Sequence, residues 1–312
     1  MLSSAYVLRR VLQTVPTLLF ILVATFVLVR LLPGDPLSAI AGDRVTDAEV
    51  ARARAAYGLD QPLLAQFLLY VRHVATGDLG RSIVVQAPVA RLVAERLPPT
   101  LLLSAMAVLI GVGLSVPLAF LSALRRGGAT DLAVRAGAQV GLSMPVFYVG
   151  LVLLTVFAAQ LRWFPVGGYG DGFGDRVYHL FLPALTLGAS LAAVVMRSLR
   201  AAIVEVLGAE YVDFARAKGL AVRVILLRHV LRNAAISTLA LLGPTVGTLL
   251  GGAVITESVF AIPGVGRLMI ESIYGRDYPV IQGLTLALAV TVSLVFLLTD
   301  LLQAALDPRV AR

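Results

Sequence analysis

Apolar residues in this chain come in long blocks, not in the alternation of strands or the one-sided stripes of surface helices. Six blocks come close to the roughly 20 residues that a helix needs to cross a hydrocarbon core of about 30 Å. They run approximately from Val11 to Leu32, Thr100 to Leu124, Ala136 to Gln160, Leu180 to Met196, Ile236 to Thr256 and Val280 to Leu302, the fourth being the shortest. Formal charges keep to the margins, with Arg30 near the end of the first block and Asp300 near the end of the sixth. A charge at the centre of a span costs about 2.5 to 3.5 kcal/mol on insertion scales, so that emptiness itself marks the blocks as membrane-spanning. The pattern predicts an all-α polytopic membrane protein with six transmembrane helices.

Composition agrees. Of 312 residues, 59% are hydrophobic and 14% charged, where a soluble domain carries about 25% charged residues. So few polar side chains could not cover a globule, and lipid is the remaining solvent. The formal charge of +8 raises nucleic acid as a partner until the charges are placed. Arg9 and Arg10 precede the first block, and Arg125, Arg126 and Arg135 face only Asp131 after the second. The connection after the fourth holds seven basic residues against Glu205, Glu210 and Asp213. These three segments carry the whole excess, whereas Pro33 to Pro99 and Leu161 to His179 are each neutral. Basic residues at span ends mark the cytoplasmic side, so both termini are expected there, and the charge is topology with no nucleic-acid patch. The first block exceeds the 7 to 15 apolar residues typical of a signal peptide and reads as a retained helix. Within the long outer segment, Thr46 to Tyr57 opens with a capping box and Gly58 ends it, which predicts a short helix. The stretch Gly167 to Gly174 follows no strand and opens no helix, so it is expected to be a flexible outer loop and not a phosphate cradle.

The chemistry available is narrow. There is no cysteine, and the single lysine, Lys218, lies between Ala217 and Gly219, outside any P-loop. No acid lies centrally in a span to relay ions, and His73, His179 and His229 are far apart. A passive channel, or the membrane half of a machine powered by another chain, fits these absences. An ion-coupled carrier or a membrane hydrolase fits them less well. No metal or cofactor is expected on this chain.

The connection from Arg197 to Ala235 is patterned. In Glu210 to Lys218, Tyr211, Phe214 and Ala215 fall at helical spacing as an apolar ridge beside Asp213, Arg216 and Lys218, and Gly219 stops the helix. A second helix is expected with Leu220, Val224, Leu227 and Leu231 on one face. An apolar knob with a charged collar suits a groove on a soluble partner; an amphipathic pair lying on the bilayer surface is the other reading.

The segment YVDFARAKGLAVRVILLRHVLRN, Tyr211 to Asn233, resembles the coupling segment of ABC importer membrane subunits, in the form used by the B-type permeases of dipeptide, oligopeptide and nickel transporters. Seven further pieces fall in the same order: LLPGDPL from Leu31, YGLDQPL from Tyr57, GDLGRSI from Gly77, RLPPTL from Arg96, GGAVITESVFAIPGVGRL from Gly251, RDYPVIQG from Arg276 and DPR from Asp307. The coupling motif, Glu-Ala-Ala, three residues, then Gly, falls on Asp213, Phe214, Ala215 and Gly219, and the downstream proline falls on Ser237. The resemblance implies a type I ABC importer permease fold: residues 1–95 as an N-terminal transmembrane helix with its extracytoplasmic segment, 96–305 as the five-helix transport domain with coupling loop 197–235, and 306–312 as a cytoplasmic tail. It implies a bacterial inner-membrane protein, without a catalytic site, that passes peptides of the dipeptide or oligopeptide class. The implied partners are a second, homologous permease subunit, two cytoplasmic ATPase subunits that hold ATP and Mg²⁺, an extracytoplasmic solute-binding protein and the lipid bilayer.

Several residues stand out within the spans. The GxxxG pairs Gly137/Gly141 and Gly247/Gly251 suit close helix packing. Pro117, Pro145, Pro183 and Pro244 are expected to kink their helices. Ser143, Thr186, Thr245, Thr248 and Thr256 are the polar side chains best placed to line a passage, although such groups also bond their own helix backbone. Glu257 and Arg267 are expected at the outer mouth, in contact with an arriving ligand or as a solvated rim.

Overall fold

The computed structural model describes residues 4–31 and 60–306. The helix expected over Thr46 to Tyr57 and the motif pieces at Leu31 to Leu37 and Asp307 to Arg309 lie outside the described residues or at their edge. Helix α1 (Ser4–Leu31) is the first span, and α2 (Leu63–Ala75) is a short apolar helix packed on it through Phe26, Phe67 and Tyr70. Then come α3 (Val89–Leu124), α4 (Ala129–Ser143), α5 (Val146–Gln160), α6 (Phe173–Leu207) and the short α7 (Glu210–Ala217). Helix α8 runs through 222–259, passing from Val222–Val224 through a π-helical turn, Ile225–Leu231, into Arg232–Val259. Helices α9 (Val265–Tyr274) and α10 (Tyr278–Leu306) complete the bundle.

Among the described residues five helices are long and apolar enough to cross a membrane, and there are six spans if the bent pair α4 and α5 counts as one. The block expected as one span over Ala136 to Gln160 is a broken pair: the two helices meet at 103°. Pro145 is the cause. It clashes with a helical conformation in the residue before it, and Met144 is accordingly extended. The Pro145 carbonyl accepts from the Tyr148 and Val149 amides at 2.9 and 3.2 Å, so the break leaves fewer backbone groups unpaired in lipid. Pro117, Pro183 and Pro244, by contrast, sit inside helices that continue through them.

The block that is shortest in the sequence becomes the hub. Helix α6 is the most enclosed of the spans, and α3 packs along it more extensively than any other pair. A helix surrounded by protein needs no lipid-facing leucines, and the buried surface of α6 uses small residues such as Ala184, Gly188, Ala192 and Ala193. A Cβ on Gly188 would meet the Ala107 carbonyl oxygen at 2.8 Å, and one on Gly111 would meet Leu191 Cδ2 at 2.4 Å. This reciprocal contact, not either GxxxG pair, is where α3 and α6 approach closely. Gly137 and Gly251 are exposed, with nothing within 4 Å of the position a Cβ would take.

Arg10 of α1 and Asp300 of α10 form an ion pair at 3.0 Å, and Gly243 of α8 faces Phe296 and Thr299 of α10. The start of α1, the end of α10 and the start of α8, with α7 beside it, therefore share one end of the bundle. At the opposite end the glycine-rich stretch is not the free loop expected. The Gly168 amide donates to the Phe260 carbonyl at 3.0 Å, a Cβ on Gly167 would strike that same oxygen, and the Asp175 carboxylate accepts from the Asp171 amide. Phe164 stacks on Phe181 and Tyr178 donates to the Trp163 carbonyl, an aromatic cluster of the kind that sits at membrane interfaces. Nearby, buried Asp277 accepts from the Ser82 hydroxyl and from the Ile83 and Val84 amides, so GDLGRSI and RDYPVIQG are two halves of one anchor.

Overpacking a close contact costs about 1 to 3 kcal/mol. Gly188→Val should therefore lower the unfolding free energy in detergent by about that amount, while Gly251→Val on the exposed face changes it little. Equal effects would remove the special standing of the α3/α6 crossing.

Candidate functional site

The α7 segment is built as a seated helix with one free face. Glu210 and Asp213 lie in its first turn, where carboxylates complement the helix dipole, and Gly219 at φ +74° turns the chain into α8. Val212 and Ala215 are buried among Ala119 and Ala123 of α3, Met196, Leu199 and Ile203 of α6, and Ile225, Val230 and Ala234 of α8. Tyr211 and Phe214 point away, and Phe214 is 62% exposed. The Lys218 ammonium lies 4.6 Å over the Phe214 ring, Arg216 pairs with Asp213 at 2.9 Å, and the Tyr211 hydroxyl accepts from Asn233. Leu220 and Val222, both exposed, extend the apolar surface beyond the turn.

Two details depart from the helical-wheel reading. Ala215 is not on the ridge with Phe214; it holds α7 down. The second helix does not pack through Leu220, Val224 and Leu227, which are exposed; Ile225 and Val230 are buried instead, and of the expected face only Leu231 packs against the same cluster. The π turn explains this: its i to i+5 bonding places residues five apart on one side. Nor is that helix short, since it continues into the span.

A buried polar clamp stands beside this seat. Asp131, 2% exposed at the start of α4, accepts from the Ser122 hydroxyl at 2.5 Å and the Gly127 amide at 3.0 Å. Arg200 of α6 meets both carboxylate oxygens at 2.8 Å, a fork geometry that fixes direction as well as distance. Three elements, the end of α3, the start of α4 and the last third of α6, are thereby joined. In the sequence Asp131 is only one negative charge among arginines. The available signal is an acid opening a helix directly after a Gly-Gly turn.

The expected passage residues divide. Thr186 and Thr256 are each 1% exposed and bond the Leu182 and Gly252 carbonyls of their own helices, and Thr186 also packs against Gly150 of α5. They are internal to this chain. Ser143 and Thr248 are exposed and Thr245 half-buried, each also bonded to its own helix backbone. Ser143 stands at the α4/α5 break.

Glu257 is not a solvated rim. It is fully buried, accepting from the Thr100 hydroxyl at 2.5 Å and from the Gly266 and Arg267 amides at 2.8 and 3.1 Å. Thr100 in turn accepts from the Val265 amide. The carboxylate thus satisfies the open N–H groups at the start of α9. Side chains at Gly264 or Gly266 would collide with Glu257 or with Val254, which is why the stretch reads PGVG. Arg267 remains partly exposed, paired with Glu271 at 2.9 Å.

Comparison with known proteins places this bundle. A family model described as "Binding-protein-dependent transport system inner membrane component" matches residues 115–312, and its companion for the N-terminal part matches 1–104. The probable peptide ABC transporter permease protein y4tP of Sinorhizobium fredii is 38% identical over 310 residues, covering 98% of this chain and 99% of that protein. The glutathione transport system permease protein GsiC of Salmonella typhimurium is 40% identical over 305 residues, covering 98% of each. The oligopeptide transport system permease protein AppB of Bacillus subtilis is 36% identical over 313 residues, covering 98% of this chain and 99% of that one. Among solved structures, a chain from the inward-facing MetNI methionine ABC transporter superposes with a TM-score of 0.59 at 18% identity, over 69% of this chain and 96% of that one. The arrangement of helices is therefore the type I ABC importer permease fold. By sequence over nearly its whole length, the chain belongs to the family of binding-protein-dependent transport system inner membrane components.

Proposed function

We propose that this chain forms half of the translocation pathway for peptides in an ATP-driven importer of the bacterial inner membrane. The observation that carries the coupling role is the geometry of α7: an apolar knob exposed at Phe214 on a helix whose other face is locked into α3, α6 and α8. Burying a phenylalanine is worth about 1.5 to 3 kcal/mol, so the knob is a ready contact for a groove on a soluble ATPase. Two such ATPase subunits hold the ATP and Mg²⁺; this chain binds no cofactor and catalyses no reaction. The pathway is completed by a second, homologous permease subunit, and an extracytoplasmic binding protein delivers the solute. Peptides, of the dipeptide or oligopeptide class, follow from relatives named for peptide, glutathione and oligopeptide transport. The side of the membrane rests on charge. The basic excess lies on the connections at the α7 end, where α1 begins and α10 ends, and this is the cytoplasmic side.

Phe214→Asp should leave the chain in the membrane yet abolish co-purification of the ATPase and ATP-dependent uptake of a dipeptide presented by the cognate binding protein. Normal uptake in that variant, or wild-type uptake that persists without ATP on an ion gradient, rules the proposal out. A second variant examines the opposite end. Glu257→Ala strips the Gly266 and Arg267 amides of their acceptor, at about 1 to 3 kcal/mol per group, and leaves the Thr100 hydroxyl only the Arg96 carbonyl at 3.4 Å. The expected result is a lowered unfolding midpoint in detergent with the α7 contact to ATPase intact at low temperature. An unchanged midpoint would show that water replaces the carboxylate at no cost.

A further inference from the structure

Between α4 and α6, at the α7 end of the bundle, lies a cavity of about 450 Å³. Its walls are chemically divided. Leu132, Met196 and neighbouring alanines supply apolar surface, and Arg135, Arg197 and Arg200 supply three guanidinium groups. Among the described residues only one carboxylate answers them. Arg200 is consumed by Asp131, whose Oδ1 also stands 3.7 Å from Arg135; Arg197 is exposed and meets no acid among those residues. Three positive charges against one negative leave a net +2 at the margin of two helices that belong to the membrane-spanning part. Exposed guanidinium groups at a membrane margin attract the anionic headgroups of the adjoining leaflet. Apolar walls that continue along α4, where Leu132 and Val140 are exposed, add a surface on which an acyl chain can lie.

We propose that this cavity binds the phosphodiester headgroup of an anionic phospholipid, with Arg135 and Arg197 taking the phosphate oxygens, Arg200 held by Asp131 as the fixed wall, and the acyl chain along Leu132 toward Val140. Arginine suits this task because its planar fork offers paired N–H groups to phosphate oxygens. Basic recesses between spans at a membrane margin are a recurrent headgroup site. The bound lipid would act on the same helices that carry α7, since Asp131 and Arg200 tie the cavity wall to the end of α3 and to α6. The assignment needs only that these arginines lie at a bilayer margin, and so stands apart from the identity of the transported solute.

The test uses the full chain in nanodiscs of equal phosphatidylglycerol and phosphatidylcholine, released into mild detergent and weighed by native mass spectrometry. The wild-type chain should retain phosphatidylglycerol in preference to phosphatidylcholine. The double variant R135Q/R197Q should lose that retention roughly thirtyfold, the factor that corresponds to about 1 kcal/mol for each of two arginines at an anionic surface. R126Q, an exposed arginine outside the cavity, serves as the control and should retain the lipid. Equal retention of the two lipids, a loss in R126Q matching that of the double variant, or displacement of the lipid by excess inorganic phosphate would each overturn the proposal. Both substitutions leave the Asp131–Arg200 clamp in place, so the unfolding midpoint in lipid-free detergent should match wild type. If the double variant falls below it, R197Q alone, at an exposed position, decides the matter by the same retention measurement.

Discussion

The close approach of α3 to α6 is the constraint on which the rest of the bundle depends. Lipid gives helices no hydrophobic reason to associate, so spans hold together by van der Waals contact and a few polar bonds. At Gly111 and Gly188 each helix presents bare backbone to the other's side chains, and Leu103, Ala107, Leu180, Leu187 and Leu191 fill the space on either side. With that distance fixed, the helices that lean on the pair have a rigid axis. Helix α8 packs on α6 through Leu249 and Ala253, α5 through Gly150 against Thr186, and α10 against α8.

A rigid axis transmits motion only if its ends are gripped. Each end is gripped by a buried acid that serves backbone as well as side chains. At one end Asp131 bonds Ser122, the Gly127 amide and Arg200; at the other, Glu257 bonds Thr100 and the start of α9, while Asp277 holds the 82–84 turn. Every one of these carboxylates joins separate elements of the chain. Removing the partners of a buried charge is far more costly than the pair is stabilising, so such anchors specify geometry more than they add stability. Ordered motif pieces such as RLPPTL and ESVFAIPGVGRL are the two sides of these contacts, which accounts for their otherwise unrelated compositions.

How much of this is legible in the sequence follows from the range of each interaction. Span positions are readable because apolar length is a local property, and five of the six blocks fall on long helices. The α4/α5 break is half readable: Pro145 marks the place, but whether proline kinks a helix or ends it depends on what surrounds it, and α6 continues through Pro183. The fourth block looks weak because hydropathy measures exposure to lipid, and α6 is enclosed by protein. The burial of Glu257 is hidden for a related reason. An acid near a span end ordinarily reaches water, and only the fold brings Thr100 and the α9 amides to it. The helix over Glu210 to Ala217 is legible as a segment, yet a period of 3.6 misassigns the faces of the helix after it, because the π turn shifts the register.

That π turn bears on how α7 can act. The buried partners of Val212 and Ala215 come from α3, α6 and the π-helical start of α8, with Val134 and Ala138 of α4 at the edge, while α1 and α10 contribute none among the described residues. A push on Phe214 therefore reaches the central pair and α8 before it reaches the outer spans. Along α8 the push meets a wide turn and then an unbroken helix through to Val259, two residues past Glu257. Glu257 is bonded to both α3 and the start of α9, so the far end of α8 is tied to both. From the seat of α7 to α9 the contacts are continuous in packing and hydrogen bonds, which is what the coupling role proposed for α7 requires.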